Sequence, residues 1–307
     1  MKTVYVTPRS ITKNRHPSLK RLEDSGFKII LATPGKQPTR EQQLEILPEC
    51  EAYLAGIEPI DGEILEKASK LKIISRNGVG IDNIDLKVAK RLGIPVKIAS
   101  GANSQGVAEL SIGLIFSAIR SIPLSDKRMK NGLWEREKGM EVFGKTLGII
   151  GTGNIGEKVA KMALALGMNV LGYDLYPDID FNPSDKFSYS EFNELLSNSD
   201  IITLHCPPSD TPLINRKTLE KTKEGVIIIN TARAGVVDDE AILDGLNSRM
   251  IKVYATDVYD EEPPKMNDLI KHKNTITTPH IGGYTDESID RAAEVAVDNI
   301  IDFFRER

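Results

Sequence analysis

Short apolar runs alternate with longer amphipathic stretches along the whole chain. Residues 4–7, 28–32, 52–55, 72–75 and 95–98 read as strands, and 19–26 and 64–71 between them carry helical spacing. Apolar strands joined by covering helices make parallel sheets, so the pattern predicts an α/β protein whose first hundred residues form one small doubly wound sheet. A second series at 145–150, 169–174, 200–205, 225–231, 252–258 and 274–278 predicts a larger sheet of six strands. Between the series, Asn103 and Ser104 are good N-cap residues for a helix at 107–119 that is apolar around most of its circumference and therefore buried. Residues 125–138 are polar, hold the only tryptophan, Trp134, and read as an arm. The last helical stretch, 287–304, is expected to pack back on the first sheet.

Composition removes several function classes. The chain has 307 residues, 40% hydrophobic and 27% charged, an ordinary globular mixture long enough for two domains. Lys plus Arg is 40 against 44 Asp plus Glu, a formal charge of -4, which is far from the basic excess of a nucleic-acid binder. Two distant cysteines, Cys50 and Cys206, and no metal-ligand spacing argue against a disulfide framework and against a metal. The N-terminus reaches Pro8 before any signal-length apolar core, and no stretch approaches a membrane span. A soluble, unprocessed cytoplasmic protein is the expectation.

The first chemistry-bearing motif is Gly151, Gly153 and Gly156, which with Asn154 and Ile155 form GxGxxG directly after an apolar run. At a strand-to-helix turn, Gly151 permits the tight bend, Gly153 lets a pyrophosphate approach the backbone, and Gly156 lets helix and strand pack closely. The next strand ends at Asp174, placed to accept hydrogen bonds from adenosine ribose hydroxyls and to repel a 2′-phosphate. NAD is the expected cofactor.

Three later segments set polar residues just beyond an apolar strand, where open α/β sheets bind ligands. They carry Thr231, Ala232 and Arg233; Asp257 and Glu262; and His280, Gly282 and Gly283. Hydride transfer at a carbon bearing a hydroxyl needs a base for the hydroxyl proton, and histidine has the pKa for that task. A carboxylate against the far ring nitrogen would fix the tautomer and stabilise the imidazolium, and Arg233 would grip an anionic substrate. Cys206, just after a strand, is a candidate for the adenine pocket, although a cysteine in such a place is more often a small buried residue.

Together these runs resemble the D-2-hydroxyacid dehydrogenase family, and within it the D-3-phosphoglycerate dehydrogenases, over nearly the whole chain. The resemblance rests on RNGVGIDNID at 76–85, GANSQGVAEL at 101–110, GLWER at 132–136, GKTLGIIGTGNIG at 144–156 and the three segments above. It implies a Rossmann NAD-binding domain at 100–283 inserted into a flavodoxin-like substrate domain made from 1–99 and 284–307. It also implies that Arg233, Glu262 and His280 are the catalytic trio and that Asp257 contacts the nicotinamide carboxamide. Backbone N–H groups of Asn77, Gly78, Val79 and Gly80 would hold the substrate carboxylate. Family members are usually homodimers joined through the NAD-binding domains, and the 107–119 helix and the 125–138 arm match those contacts.

The substrate the resemblance implies is an anionic 2-hydroxy or 2-oxo acid, 3-phosphoglycerate first, with glyoxylate or hydroxypyruvate reduction as the alternative. Arg76 and Arg136 lie in segments similar to those that approach the substrate phosphate, and both also read as ordinary surface cations. A non-enzymatic NAD(H)-binding corepressor is the reading from a different class, and the intact trio weighs against it. The serine-sensing C-terminal domains of larger phosphoglycerate dehydrogenases are not expected here.

Overall fold

The computed structural model describes residues 1–306 and divides into two compact units. One comprises Met1–Asn103 with the segment from Thr285 onward, and the other Ser104–Tyr284.

The first unit is built on β1 (Lys2–Val6), β2 (Phe27–Leu31), β3 (Ala52–Ala55), β4 (Ile73–Arg76) and β5 (Val96–Ile98), parallel and in the order β2-β1-β3-β4-β5. That is the flavodoxin-like order. Central strands of such a sheet are covered on both faces, which is why they are continuous apolar runs rather than alternating ones. Val4, Val6 and Leu54 face Ala293, Val297 and Ile300 of the helix Asp286–Arg305, so the C-terminal helix does close this unit. On the opposite face Tyr5 stacks on Tyr53 at 5.6 Å, above Ile64 and Leu65.

Among the described residues, Glu58 and Arg76 are the charged side chains buried within this unit. Glu58 is 1% exposed, and its Oε1 accepts the Tyr53 hydroxyl at 2.7 Å, the Gly56 N–H at 2.9 Å and the Thr7 hydroxyl. These three hydrogen bonds offset the oxygen's loss of water and tie the turns after β1 and β3 together.

The second unit has β6 (Thr146–Ile150), β7 (Asn169–Tyr173), β8 (Phe187–Tyr189), β9 (Ile201–Leu204), β10 (Val226–Asn230), β11 (Ile251–Thr256) and β12 (Thr275–Thr277). They are parallel, in the order β12-β11-β10-β9-β6-β7-β8. Relabelled from β6, this is the Rossmann order with one further strand, and the strand order reverses between β6 and β9. The sequence pattern predicts six strands here and the structure has seven. β8 escapes the pattern because it is a three-residue edge strand in which only Phe187 is buried.

The unit boundaries fall at Asn103/Ser104 and Tyr284/Thr285, not at 99/100 and 283/284. Ala99 and Ala102 pack on Ala292, and the Arg291 guanidinium donates to the Ala102 carbonyl at 2.9 Å, so the turn after β5 belongs to the first unit. The helix Ser104–Ile119 is a core element of the second unit, burying Ala108, Leu114, Ile115 and Ala118 beside Val159, Ala160 and Ala163 of the helix Asn154–Ala165. No residue of the helix Ile122–Lys130 is fully buried, and Trp134 beyond it is 79% exposed. Among the described residues no single helix is long and apolar enough to cross a membrane.

Candidate active site

The glycine loop leaves β6 at the point where the strand order reverses. Gly151 has φ +93, and a Cβ there would stand 2.6 Å from the carbonyl of His205 at the end of β9. A Cβ on Gly156 would stand 2.1 Å from the Gly151 oxygen, so only hydrogen lets the helix start this close to the strand. Gly153 differs, since a Cβ there would meet nothing within 4 Å. Its freedom is not needed for packing within the chain; the space beside it suits the approach of a phosphate.

Gly153 is also the N-cap of the helix Asn154–Ala165 and offers no side-chain cap, so that end presents N–H groups and the positive end of a twelve-residue dipole. At the tip of β7, Asp174 Oδ2 accepts the Thr152 N–H at 2.7 Å and Oδ1 accepts the Tyr176 N–H at 2.9 Å. The carboxylate is thereby locked to the glycine loop. Cys206 follows β9 half-buried, its thiol pushed up to about 11 by burial first and then by the nearby charge of Asp174. An uncharged thiol beside Asp174 fits a pocket wall and not a nucleophile. The open face at Gly153, the uncapped helix and the oriented Asp174 together fit a dinucleotide.

Arg233 is presented by a side chain to which the sequence reading assigns no role. Asn230 is 0% exposed, its Nδ2 donates to the Arg233 carbonyl at 2.9 Å, and its Oδ1 accepts the Ala232 N–H at 3.1 Å. An asparagine ending a buried strand is the signal that marks such a clamp. Thr231 Oγ1 lies 2.9 Å from Ser111 Oγ and 3.5 Å from His205 Nδ1, while His205 Nε2 lies 2.9 Å from Thr203 Oγ1. Burial pushes the His205 pKa down to about 3, so this histidine is a neutral partner for two hydroxyls, not an acid-base group.

His280 does meet its carboxylate. Its Nδ1 lies 2.8 Å from both Glu262 oxygens, with the two side chains 48% and 40% exposed. Nδ1–H donating to a carboxylate leaves Nε2 as the nitrogen for proton exchange. Asp257, at the end of β11, is 2% exposed and is engaged by the turn that carries His280.

In the first unit, the expected carboxylate-binding loop is partly occupied by its own backbone. The Asn77 N–H donates to the Ala55 carbonyl at 2.9 Å and the Gly78 N–H to the Arg76 carbonyl at 2.9 Å, which narrows that reading to Val79 and Gly80. Arg76 is 8% exposed, and its Nη1 donates to the Asn77 carbonyl; a Cβ on Gly78 would stand 2.7 Å from that nitrogen. It braces the loop from below, which is a different task from reaching out to a phosphate. Arg136 is exposed and belongs to the other unit.

Comparison with known proteins bears on this arrangement. Residues 112–282 match the family described as D-isomer specific 2-hydroxyacid dehydrogenase, NAD binding domain. The chain is 40% identical over 269 residues to a D-3-phosphoglycerate dehydrogenase of Methanocaldococcus jannaschii, a match covering 85% of this chain and 51% of that protein. It is 39% identical over 272 residues to a hydroxypyruvate reductase of Thermotoga maritima, covering 85% of this chain and 87% of that one. Its fold is similar to D-lactate dehydrogenase from Aquifex aeolicus, solved with NAD and lactic acid, with TM-score 0.82 and 30% identity over 99% of this chain and 96% of that one. The chain spans about half the length of several of the phosphoglycerate dehydrogenases it matches, that of Methanocaldococcus jannaschii among them.

Proposed function

Because the chain belongs to the D-isomer-specific 2-hydroxyacid dehydrogenase family, we propose that it is an NAD-dependent oxidoreductase that converts a D-2-hydroxy acid to the 2-oxo acid. The observation that carries this reading is His280 Nδ1 held at 2.8 Å by both oxygens of Glu262. When bound, NAD supplies the hydride acceptor. His280 Nε2 takes the hydroxyl proton as the C–H hydride departs, and Glu262 stabilises the imidazolium that results. In the reverse direction the same nitrogen returns the proton to the carbonyl oxygen. Arg233 pairs with the substrate carboxylate and polarises that oxygen.

For substrate we take 3-phosphoglycerate, oxidised to 3-phosphohydroxypyruvate at the entry to serine synthesis, supported by the similarity to phosphoglycerate dehydrogenases. A second reading, hydroxypyruvate or glyoxylate reduction, is favoured by the inward-turned Arg76 and by the nearly full-length match to a hydroxypyruvate reductase. We place the enzyme in the cytoplasm, as its two free cysteines favour, and as a homodimer through the second unit, where Ile122, Met129, Leu133 and Trp134 are exposed.

Steady-state assays of the purified protein with 3-phosphoglycerate, glycerate, lactate, hydroxypyruvate and glyoxylate test the reading. NAD-linked turnover of at least one is the expected result. NADH binding without turnover of any would remove the enzyme reading and favour a nucleotide-sensing binding protein. Arg76→Ala and Arg136→Ala then test the phosphate: a preference for the phosphorylated acid unchanged in both excludes these contacts.

A further inference from the structure

The turn Thr278–Gly282 carries His280 but has no regular structure of its own, so its shape must be imposed from outside. Asp257 imposes it. Oδ1 accepts the Thr278 hydroxyl at 2.6 Å and the Ile281 N–H at 2.8 Å, while Oδ2 accepts the Gly282 N–H at 2.8 Å. These tethers grip the chain on both sides of His280, one before it and two after. Between them His280 holds φ +51, a left-handed conformation that a residue with a Cβ leaves unless its surroundings forbid it.

Two further bonds stiffen the near side. The Tyr259 hydroxyl donates to the Thr278 carbonyl at 2.8 Å, and the Thr278 N–H donates to the Thr256 carbonyl at 3.0 Å. Asp257 itself is 2% exposed. A carboxylate offers about four lone-pair directions, and the turn around His280 takes three of them, two through backbone N–H groups and one through the Thr278 hydroxyl.

We propose that Asp257 is a positioning residue which, together with Thr278, holds the 278–282 turn in the one shape that sets His280 Nδ1 against Glu262. The proposal rests on the reading of His280 as the acid-base group. It differs from a carboxamide contact for Asp257, because it acts through the histidine's backbone. Release of either side lets φ relax into the ordinary region, which redirects the Cα–Cβ bond and carries Nδ1 away from the Glu262 oxygens. In Asp257→Asn the amide cannot accept at both positions, so its NH2 confronts backbone N–H groups. Thr278→Val removes one tether and keeps the shape, and Thr278→Ser restores the hydroxyl.

The test reads the ring directly. The chain has four histidines, and ring 15N spectra of histidine-labelled protein, assigned with His280→Asn, show which nitrogen of His280 carries the proton. In the wild type Nδ1 should carry it, because it faces a carboxylate. In Asp257→Asn and Thr278→Val the solvent-preferred Nε2–H form should replace it, and Thr278→Ser should keep the wild-type pattern. In Asp257→Asn, kcat should fall about a hundredfold, the size of effect produced by a small misplacement of a catalytic group. Thr278→Val, which leaves the aspartate in place, should keep the NADH dissociation constant of the wild type.

A wild-type ring pattern in Asp257→Asn overturns the proposal, as does one in Thr278→Val if the aspartate variant does not fold. Weakened NADH binding with the ring pattern intact makes Asp257 a cofactor contact instead. If the wild type turns over no acid yet the ring pattern still changes, the proposed activity fails and the positioning role stands.

Discussion

The carboxylate of Asp174 accepts the backbone N–H of Thr152 at 2.7 Å, across the gap between the tip of β7 and the glycine loop. One side chain therefore ties down the glycine loop, where the phosphates are expected, and ends the strand at which the ribose is expected. Asp174→Ala should relax discrimination against NADP and also weaken NAD, since the loop loses its tie. Hydrogen bonds to charged groups contribute about 1.5–3 kcal/mol, so the NAD to NADP ratio of kcat/KM should drop by about tenfold or more. Kinetics with both cofactors decide it, and a variant as selective as the wild type excludes the role.

Replacing His280 separates chemistry from binding. His280→Ala should lower kcat by about a hundred- to ten-thousand-fold and leave NADH affinity, read from fluorescence titration, where it was. Glu262→Gln should fall between that variant and the wild type, because the amide still orients the ring but no longer offsets the imidazolium charge. Equal turnover for His280→Ala and wild type would remove the acid-base assignment.

Two glycines one helical turn apart should respond in opposite ways. Gly156→Ala drives a methyl to 2.1 Å from the Gly151 oxygen, and overpacking of that kind costs about 1–3 kcal/mol or more, visible as a lowered Tm. Gly153→Ala meets no protein atom, so its Tm should be retained while NADH affinity falls. A Gly153→Ala protein that binds NADH as tightly as wild type would show that the phosphate does not approach there.

His205 makes the fold sensitive to acid. Its pKa is pushed down to about 3 by burial, whereas in the unfolded chain it titrates near the ordinary histidine value. Between those two values the unfolded state binds the extra proton, so this group's contribution is intact above about pH 6.5 and is lost as pH falls toward 3. The loss approaches about 1.4 kcal/mol per pH unit in the middle of that window. Urea unfolding at pH 6, 5 and 4 should therefore show a shallower pH dependence for His205→Gln than for wild type. Parallel curves would refute it.

Much of this protein is legible in its sequence because the relevant forces are local or periodic. Apolar runs such as those of β6 and β10 must be strands covered on both faces, and a GxGxxG turn followed by Asp174 has few uses other than a dinucleotide. The pairing of a carboxylate with His280 is also readable as a requirement of proton transfer. β8 is not legible, because a three-residue edge strand exposes alternate side chains and carries little pattern.

What tertiary structure alone decides is where polar groups point. Arg76, Asn77 and Gly78 look from the sequence like a ligand loop, yet two of its N–H groups and the guanidinium are bonded to the loop's surroundings and its own carbonyls. Asp257 looks from the sequence only like a cofactor contact, and the fold also wraps it in the turn bearing His280. Asn230, at the end of β10, and Glu58, in the turn after β3, carry no sequence signal beyond their places, and each organises the loops around it. Periodicity records which residues leave water; it does not record the long-range partner that a buried donor or acceptor must find, and that partner exists only once the chain has folded.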